Sequence, residues 1–258
     1  MAEPDILYHC AAMLGVQNTE EHPDVCRQIN EFGTENVLKA AYAANVKTFV
    51  FLSSSEVYGN GFDFKPFSET SPLLGDNVYA HGKKLGEQMA LAYADRMKVV
   101  VPRMFNCYGV GQVSQFFIPK VIVSCGIGRN VPIYGSLKNK RSYLFGHDAA
   151  KHLINIAVNA PNMEVVNVGH PTPATLEDVF FEIKRRMKSK SLAVVRASDR
   201  GVYDDRTVSR DVPNRLAVLG KLRLYSNHEP TDLYAAIGFA VRAAFTLRPD
   251  WTYRRELL

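Results

Sequence analysis

The sequence has no run approaching the roughly 18 consecutive apolar residues that a membrane-spanning helix needs. Its opening stretch, MAEPDILYHCAAMLG, carries no basic leader, so a soluble, unsecreted protein is expected. Cysteine is sparse. Cys10, Cys26, Cys107 and Cys125 are widely spaced and form no Cys-x-x-Cys pair, which suggests neither a zinc site nor a disulfide framework and fits a reducing, cytoplasmic setting. Dense basic charge is confined to KRRMKSK (184–190) and LKNKR (137–141). With no aromatic-basic interleaving around them, these runs read as solvated faces, and no nucleic-acid partner is expected despite the net charge of +5. Low-complexity segments and internal repeats are missing too. What remains is an ordinary globular composition, 47% hydrophobic and 22% charged, in 258 residues that can bury one large core or two unequal lobes.

Apolar β-type runs occur at DILYHCAA (5–12), KTFVFLSS (47–54), KVVVPRMFN (98–106) and EVVNVG (164–169). Between the first three lie helical patterns over 23–44 and 79–96, which is the βαβαβ rhythm of a parallel sheet. Beyond about residue 107 proline and glycine punctuate the chain. Thr175 and Asp178 then have the spacing of a capping box opening a helix, and an amphipathic helix follows Thr231. The expected fold class is α/β, a Rossmann-like parallel sheet with a smaller mixed C-terminal lobe. Its expected division is 1–108, with parts contributed by about 140–170, and 109–258.

The segment FVFLSSSEVYGN (49–60) runs four apolar residues without alternation, as in a strand covered on both faces, into Ser53, Ser54, Ser55 and Glu56. Ligands of such sheets collect at the carboxyl ends of the strands. A simple turn cap would explain the serines equally well on this stretch alone. Tyr79 and Lys83 in NVYAHGKK stand four apart at the start of a helix, hence on one face. An ammonium beside a phenol favours phenolate, so Lys83 is expected to lower the pKa of Tyr79 and make it a usable general base.

Taken together these segments resemble the extended short-chain dehydrogenase/reductase family of NAD-dependent nucleotide-sugar epimerases and dehydratases. DILYHCAA looks like that family's fourth strand, and NEFGTENVLKAA, with Asn30, Gly33 and Thr34, like its Asn-x-x-Gly-Thr helix. SSSEVYG and the Tyr79/Lys83 pair resemble its catalytic segments, and PRMFNCYGVGQ its Arg-x-Phe-Asn-x-Tyr-Gly segment. VPIYGSLKNKRSYLFGHDAA, with Arg141 and Asp148, is similar to its substrate-phosphate segment, and VVNVGHPTPATLEDV to its Asn-x-Gly turn and following helix.

The resemblance implies NAD as cofactor, a nucleotide sugar as substrate, and transient oxidation at sugar carbon 4 followed by epimerisation, dehydration or decarboxylation. Ser54 would hydrogen-bond the reacting hydroxyl, Tyr79 would take its proton, and Lys83 would bind the nicotinamide ribose. Ala11, Ala12, Asn30 and Ser53 would line the cofactor. Asn106, Arg141 and Arg206 would meet substrate phosphates, a task for which a planar guanidinium is well shaped. Ser55 and Glu56 fall where glucose-type 4,6-dehydratases carry an Asp-Glu pair; Glu56 is a catalytic base or a structural hydrogen-bonder. A homodimer through the 23–44 and 79–96 helices is also implied.

At one place the sequence departs from that pattern, because no Gly-x-x-Gly-x-x-Gly is present to make the pyrophosphate turn. The retained Ser54, Tyr79 and Lys83 favour a reading frame that starts late, an N-terminally truncated sheet, over a non-catalytic scaffold or binding protein of the same fold.

Overall fold

The structure, a computed structural model, describes residues 4–60, 65–196 and 213–247. In chain order, β1 (Ile6–His9), α1 (Val16–Glu21), α2 (Pro23–Arg27), a π-helical turn (Gln28–Phe32) and α3 (Gly33–Ala43) lead to β2 (Thr48–Phe51). Next come β3 (Ser53–Ser54), a 3-10 turn (Ser55–Tyr58), α4 (Val78–Leu91), β4 (Lys98–Met104) and β5 (Cys107–Tyr108). Then follow α5 (Phe117–Gly126), β6 (Val131–Tyr134), β7 (Lys140–Arg141), β8 (Leu144–Phe145), α6 (Gly146–Asn159) and β9 (Glu164–Val168). β10 (Ala174–Thr175), α7 (Leu176–Arg186), β11 (Ala193–Arg196), β12 (Asn214–Arg215), α8 (Gly220–Tyr225) and α9 (Leu233–Leu247) complete it. Two compact units result: Met1–Phe105 with Ala150–Gly169 and Ala217–His228, and Asn106–Ala149 with His170–Leu216 and Glu229–Leu258.

The first unit is built on a parallel sheet. β1 pairs β2, β2 and β3 both pair one edge of β4, and β9 pairs its other edge, every pairing parallel. β2 and β3 are thus two halves of one strand interrupted at Leu52, with Ser53 opposite Arg103 and Ser54 opposite Met104. All four residues of β2 are buried, as its unbroken apolar run demands. Leu38 and Ala41 of α3 and Ala90 of α4 pack with Phe49, Phe51, Val99 and Val101 in one apolar cluster on the sheet.

The expected helix over 23–44 is not one regular helix. The π-helical turn widens it at Gln28–Phe32, and Asn30 inside that turn is buried. Thr34 Oγ1 donates to the Asn30 carbonyl at 2.7 Å and is 3.0 Å from His9 Nε2 at the end of β1. The helix is therefore pinned to the strand end by polar contacts that hydrophobic periodicity does not report.

The second unit has a core of α5, α7 and α9, with Ile118, Val121, Val179, Phe180, Ile183 and Ile237 buried among them. β7 is the middle strand of a three-stranded sheet, antiparallel to β10 and parallel to β12, while β6 pairs β11 and β5 pairs β8 in parallel. The expected capping box opens α7: the Asp178 N–H donates to Thr175 Oγ1 at 3.0 Å and the Thr175 N–H to Asp178 Oδ2 at 3.0 Å. Asp148 accepts from the Thr231 N–H at 3.0 Å and from its hydroxyl at 3.2 Å, just ahead of α9. Among the described residues no helix is long and apolar enough to cross a membrane, and no cluster of three metal-ligating side chains occurs.

Candidate active site

The carboxyl end of the interrupted strand β2–β3 delivers the hydroxyls. Ser54 keeps an extended backbone and caps the 3-10 turn, its Oγ accepting from the Glu56 N–H at 3.2 Å. α4 begins nearby because Asn77 caps it, its Oδ1 accepting from the Ala80 N–H at 2.7 Å. The first turn of α4 then presents Tyr79, and the next presents Lys83. Ser54 lies close enough to Tyr79 for its hydroxyl to act on the phenol.

Tyr79 and Lys83 are 8% and 4% exposed, and this burial governs their acidity. It pushes the Tyr79 phenol well above its ordinary value; the Ser54 hydroxyl pulls the other way, while Glu56 and Cys26 add to the rise. The expectation that the phenol is drawn down is corrected here: desolvation is the largest influence on Tyr79 and raises it. The Lys83 ammonium itself is brought down to about 8, by burial first, with Cys10, Glu87 and Cys26 opposing. It donates to the Leu52 carbonyl at 2.7 Å and lies 5.0 Å from the centroid of the Phe51 ring and 5.9 Å from that of Tyr79.

Around this trio the other expected residues take varied places. Glu56 is half-buried beside Tyr79, and the Asn77 amide reaches its Oε2 at 3.5 Å. Ser55 is buried in the 3-10 turn. The hydroxyl of Ser53 turns inward and donates to Glu87 Oε1. Asn30 accepts from the Met13 N–H at 2.8 Å and donates to the Met13 carbonyl at 3.1 Å, which fixes the segment holding Ala11 and Ala12 beyond β1. In the second unit, Arg141 Nη1 donates to the carbonyls of Lys140 (2.9 Å) and Pro213 (3.3 Å). Asn106 Oδ1 is buried with no hydrogen-bond partner among the described residues. Arg206 lies outside the described residues.

Sequence reasoning passed over Asn77, although an asparagine just ahead of a helical pattern is a start signal. It also passed over Glu87 and Arg103, whose ion pair is buried beside Ser53.

A parallel α/β sheet with a Ser-Tyr-Lys constellation at the strand ends defines a short-chain dehydrogenase type of architecture. The model of the NAD dependent epimerase/dehydratase family matches residues 1–169, and the chain belongs to that family. It is 32% identical over 167 residues to the dTDP-D-glucose 4,6-dehydratase of Mus musculus, covering 64% of this chain and 47% of the relative. It is 30% identical over 236 residues to the UDP-N-acetyl-alpha-D-glucosaminuronate decarboxylase of Bacillus cytotoxicus, covering 88% and 72%. Among solved structures, Epimerase Mth375 from Methanothermobacter thermautotrophicus superposes with a TM-score of 0.86 at 25% identity, covering 96% of this chain and 74% of that one. The chain spans about half the length of the curated dehydratases it matches.

Proposed function

We propose that this chain works in an NAD-dependent enzyme that modifies a nucleotide sugar by transient oxidation at carbon 4, in a cytoplasmic homodimer. The observation that carries the reading is Tyr79 and Lys83 on one helix face, with Ser54 near enough to act on the Tyr79 phenol, in a member of this family. Ser54 holds the carbon 4 hydroxyl, and Tyr79 takes its proton. Glu56, half-buried near Tyr79, would serve as the base for a second proton transfer on the keto intermediate. Asn106 and Arg141, with Arg206, bind the phosphates.

The nicotinamide end of NAD fits the residues present. Lys83 commits one N–H to the Leu52 carbonyl and retains donors for ribose hydroxyls. Asn30 keeps the Ala11–Met13 backbone in place beside it. When bound, NAD supplies the acceptor for the hydride and returns it. A cofactor cation next to Lys83, replacing water, would also bring the Tyr79 phenol down from the raised value that burial imposes.

Purified protein incubated with NAD and either dTDP-glucose or a UDP-sugar, with products identified by mass spectrometry, tests the reading. A 4-keto, epimerised or decarboxylated sugar nucleotide formed by the parent and not by Tyr79→Phe is expected. A folded protein that carries no nucleotide and transforms no sugar nucleotide would instead favour a scaffold or binding protein of the same fold.

A further inference from the structure

Arg103 lies in β4, and its guanidinium is spent entirely on the interior of the first unit. Nε and Nη2 donate to the two carboxylate oxygens of Glu87 at 2.9 and 2.7 Å. Nη1 donates to the Tyr58 hydroxyl at 3.1 Å and to the Glu69 carbonyl at 3.0 Å. Side-chain exposures of 6% and 5% put the ion pair almost wholly out of water. Glu87 Oε1 also accepts from Ser53, which is the cross-strand partner of Arg103. Tyr58 in turn donates to Asn167 Oδ1 at 2.6 Å.

A buried ion pair is a weak source of net stability, since desolvation offsets most of its attraction and apolar substitutes of similar volume are often as stable. What it does supply is geometry. Ser53 immediately precedes Ser54, and Tyr58 shares the 3-10 turn with Glu56. Glu87 lies one helical turn beyond Lys83 and two beyond Tyr79 on α4. One guanidinium therefore joins the three elements that carry Ser54, Glu56 and the Tyr79–Lys83 pair. Sliding or rotating α4 against β3 would break bidentate, charge-assisted hydrogen bonds in a dry interior, where their loss is most costly.

We propose that Glu87 and Arg103 are positioning residues, which clamp α4 to β3 and the following turn so that Tyr79 is held beside Ser54. The effect on turnover rests on the function proposed above; the effect on the placement of Tyr79 does not, and the two are measured separately.

The experiment uses the 258-residue protein with 13Cζ-labelled tyrosine, observed by NMR at pH 7, where the phenol is protonated. Tyr79→Phe assigns the resonance, and Ser54→Ala gives its position when the neighbouring hydroxyl is gone. The paired variant Glu87→Met with Arg103→Met removes both charges together and leaves neither buried alone. Its Tyr79 resonance is expected to move to the Ser54→Ala position while circular dichroism and the Tyr108 resonance stay unchanged. In the sugar-nucleotide assay its kcat is expected to fall roughly 100-fold, the scale of an ~1 Å misplacement, with little change in KM. A folded paired variant whose Tyr79 resonance keeps the parent position overturns the proposal. A parent without turnover removes the proposed function and leaves the NMR result to decide the clamp. Should the paired variant not fold, Ser53→Ala, which cuts only the link to β3, decides: a shift toward the Ser54→Ala position supports the clamp, and an unmoved resonance overturns it.

Discussion

Gly86 of α4 rests against the ring of Phe51 in β2 so closely that a β-carbon at position 86 would lie 2.3 Å from Phe51 Cζ and 2.9 Å from Cε2. The same ring supports the Lys83 ammonium at 5.0 Å. Gly86→Ala must push the helix off the sheet or tilt the ring. Overpacking of this kind costs about 1–3 kcal/mol, against the ~1 kcal/mol that alanine gains over glycine inside a helix. A lowered urea midpoint with an unchanged m-value is expected, and a midpoint at or above the parent's would contradict the close approach.

Tyr79→Phe removes only the phenolic oxygen, so packing and substrate binding should persist while proton transfer is lost. Turnover of the sugar nucleotide is expected to fall ~100-fold to 10,000-fold with little change in KM. If the variant keeps more than about a tenth of parent activity, Tyr79 is not the general base.

Burial brings the Lys83 amine down from its ordinary 10.5 to about 8 in the fold. Between those two values the unfolded chain holds the extra proton, so the contribution of this group to stability rises with pH from about 8 to about 10.5. Cys107, pushed up to about 11 by burial, contributes with the opposite sign in part of the same window. The informative quantity is therefore the difference in unfolding free energy between parent and Lys83→Met. That difference should shift in favour of the parent as pH is raised across the window, as measured by urea titrations at pH 7 to 10. A flat difference would mean that the amine is better solvated than its surroundings indicate.

Asn77 both caps α4 and reaches Glu56. Asn77→Ala is expected to cost about 1 kcal/mol, whereas Asn77→Ser, whose hydroxyl can still accept from the Ala80 N–H without bringing a second carboxylate to Glu56, should cost less. Equal losses in chemical denaturation would show that the cap is not what Asn77 contributes.

The sheet was legible because its strands advertise themselves. KVVVPRMFN and EVVNVG are apolar runs without alternation, and they became Lys98–Met104 and Glu164–Val168. Thr175 and Asp178 declared the start of α7 by spacing alone. α6 was not foreseen, in part because its buried face includes Asp148 and His152, which count as polar in any linear pattern. Arg103 and Glu87 were missed for a related reason: their partnership exists only after β4 and α4 have packed. The error over the Tyr79 phenol has the same origin, since desolvation is a property of the fold and charge spacing is a property of the chain.

The π-helical turn at Gln28–Phe32 makes the length of its helix matter as much as its composition. Losing one residue there would let Pro23–Ala43 run as a single regular helix, turning everything on one side of the deletion by about 100° relative to the other. Asn30 could not then grip Met13 while Thr34 kept its contact with His9. A single-codon deletion in this turn is therefore a harsher change than most substitutions along the same helix, and the surplus residue amounts to a fixed spacer between the strand end and the face of the sheet.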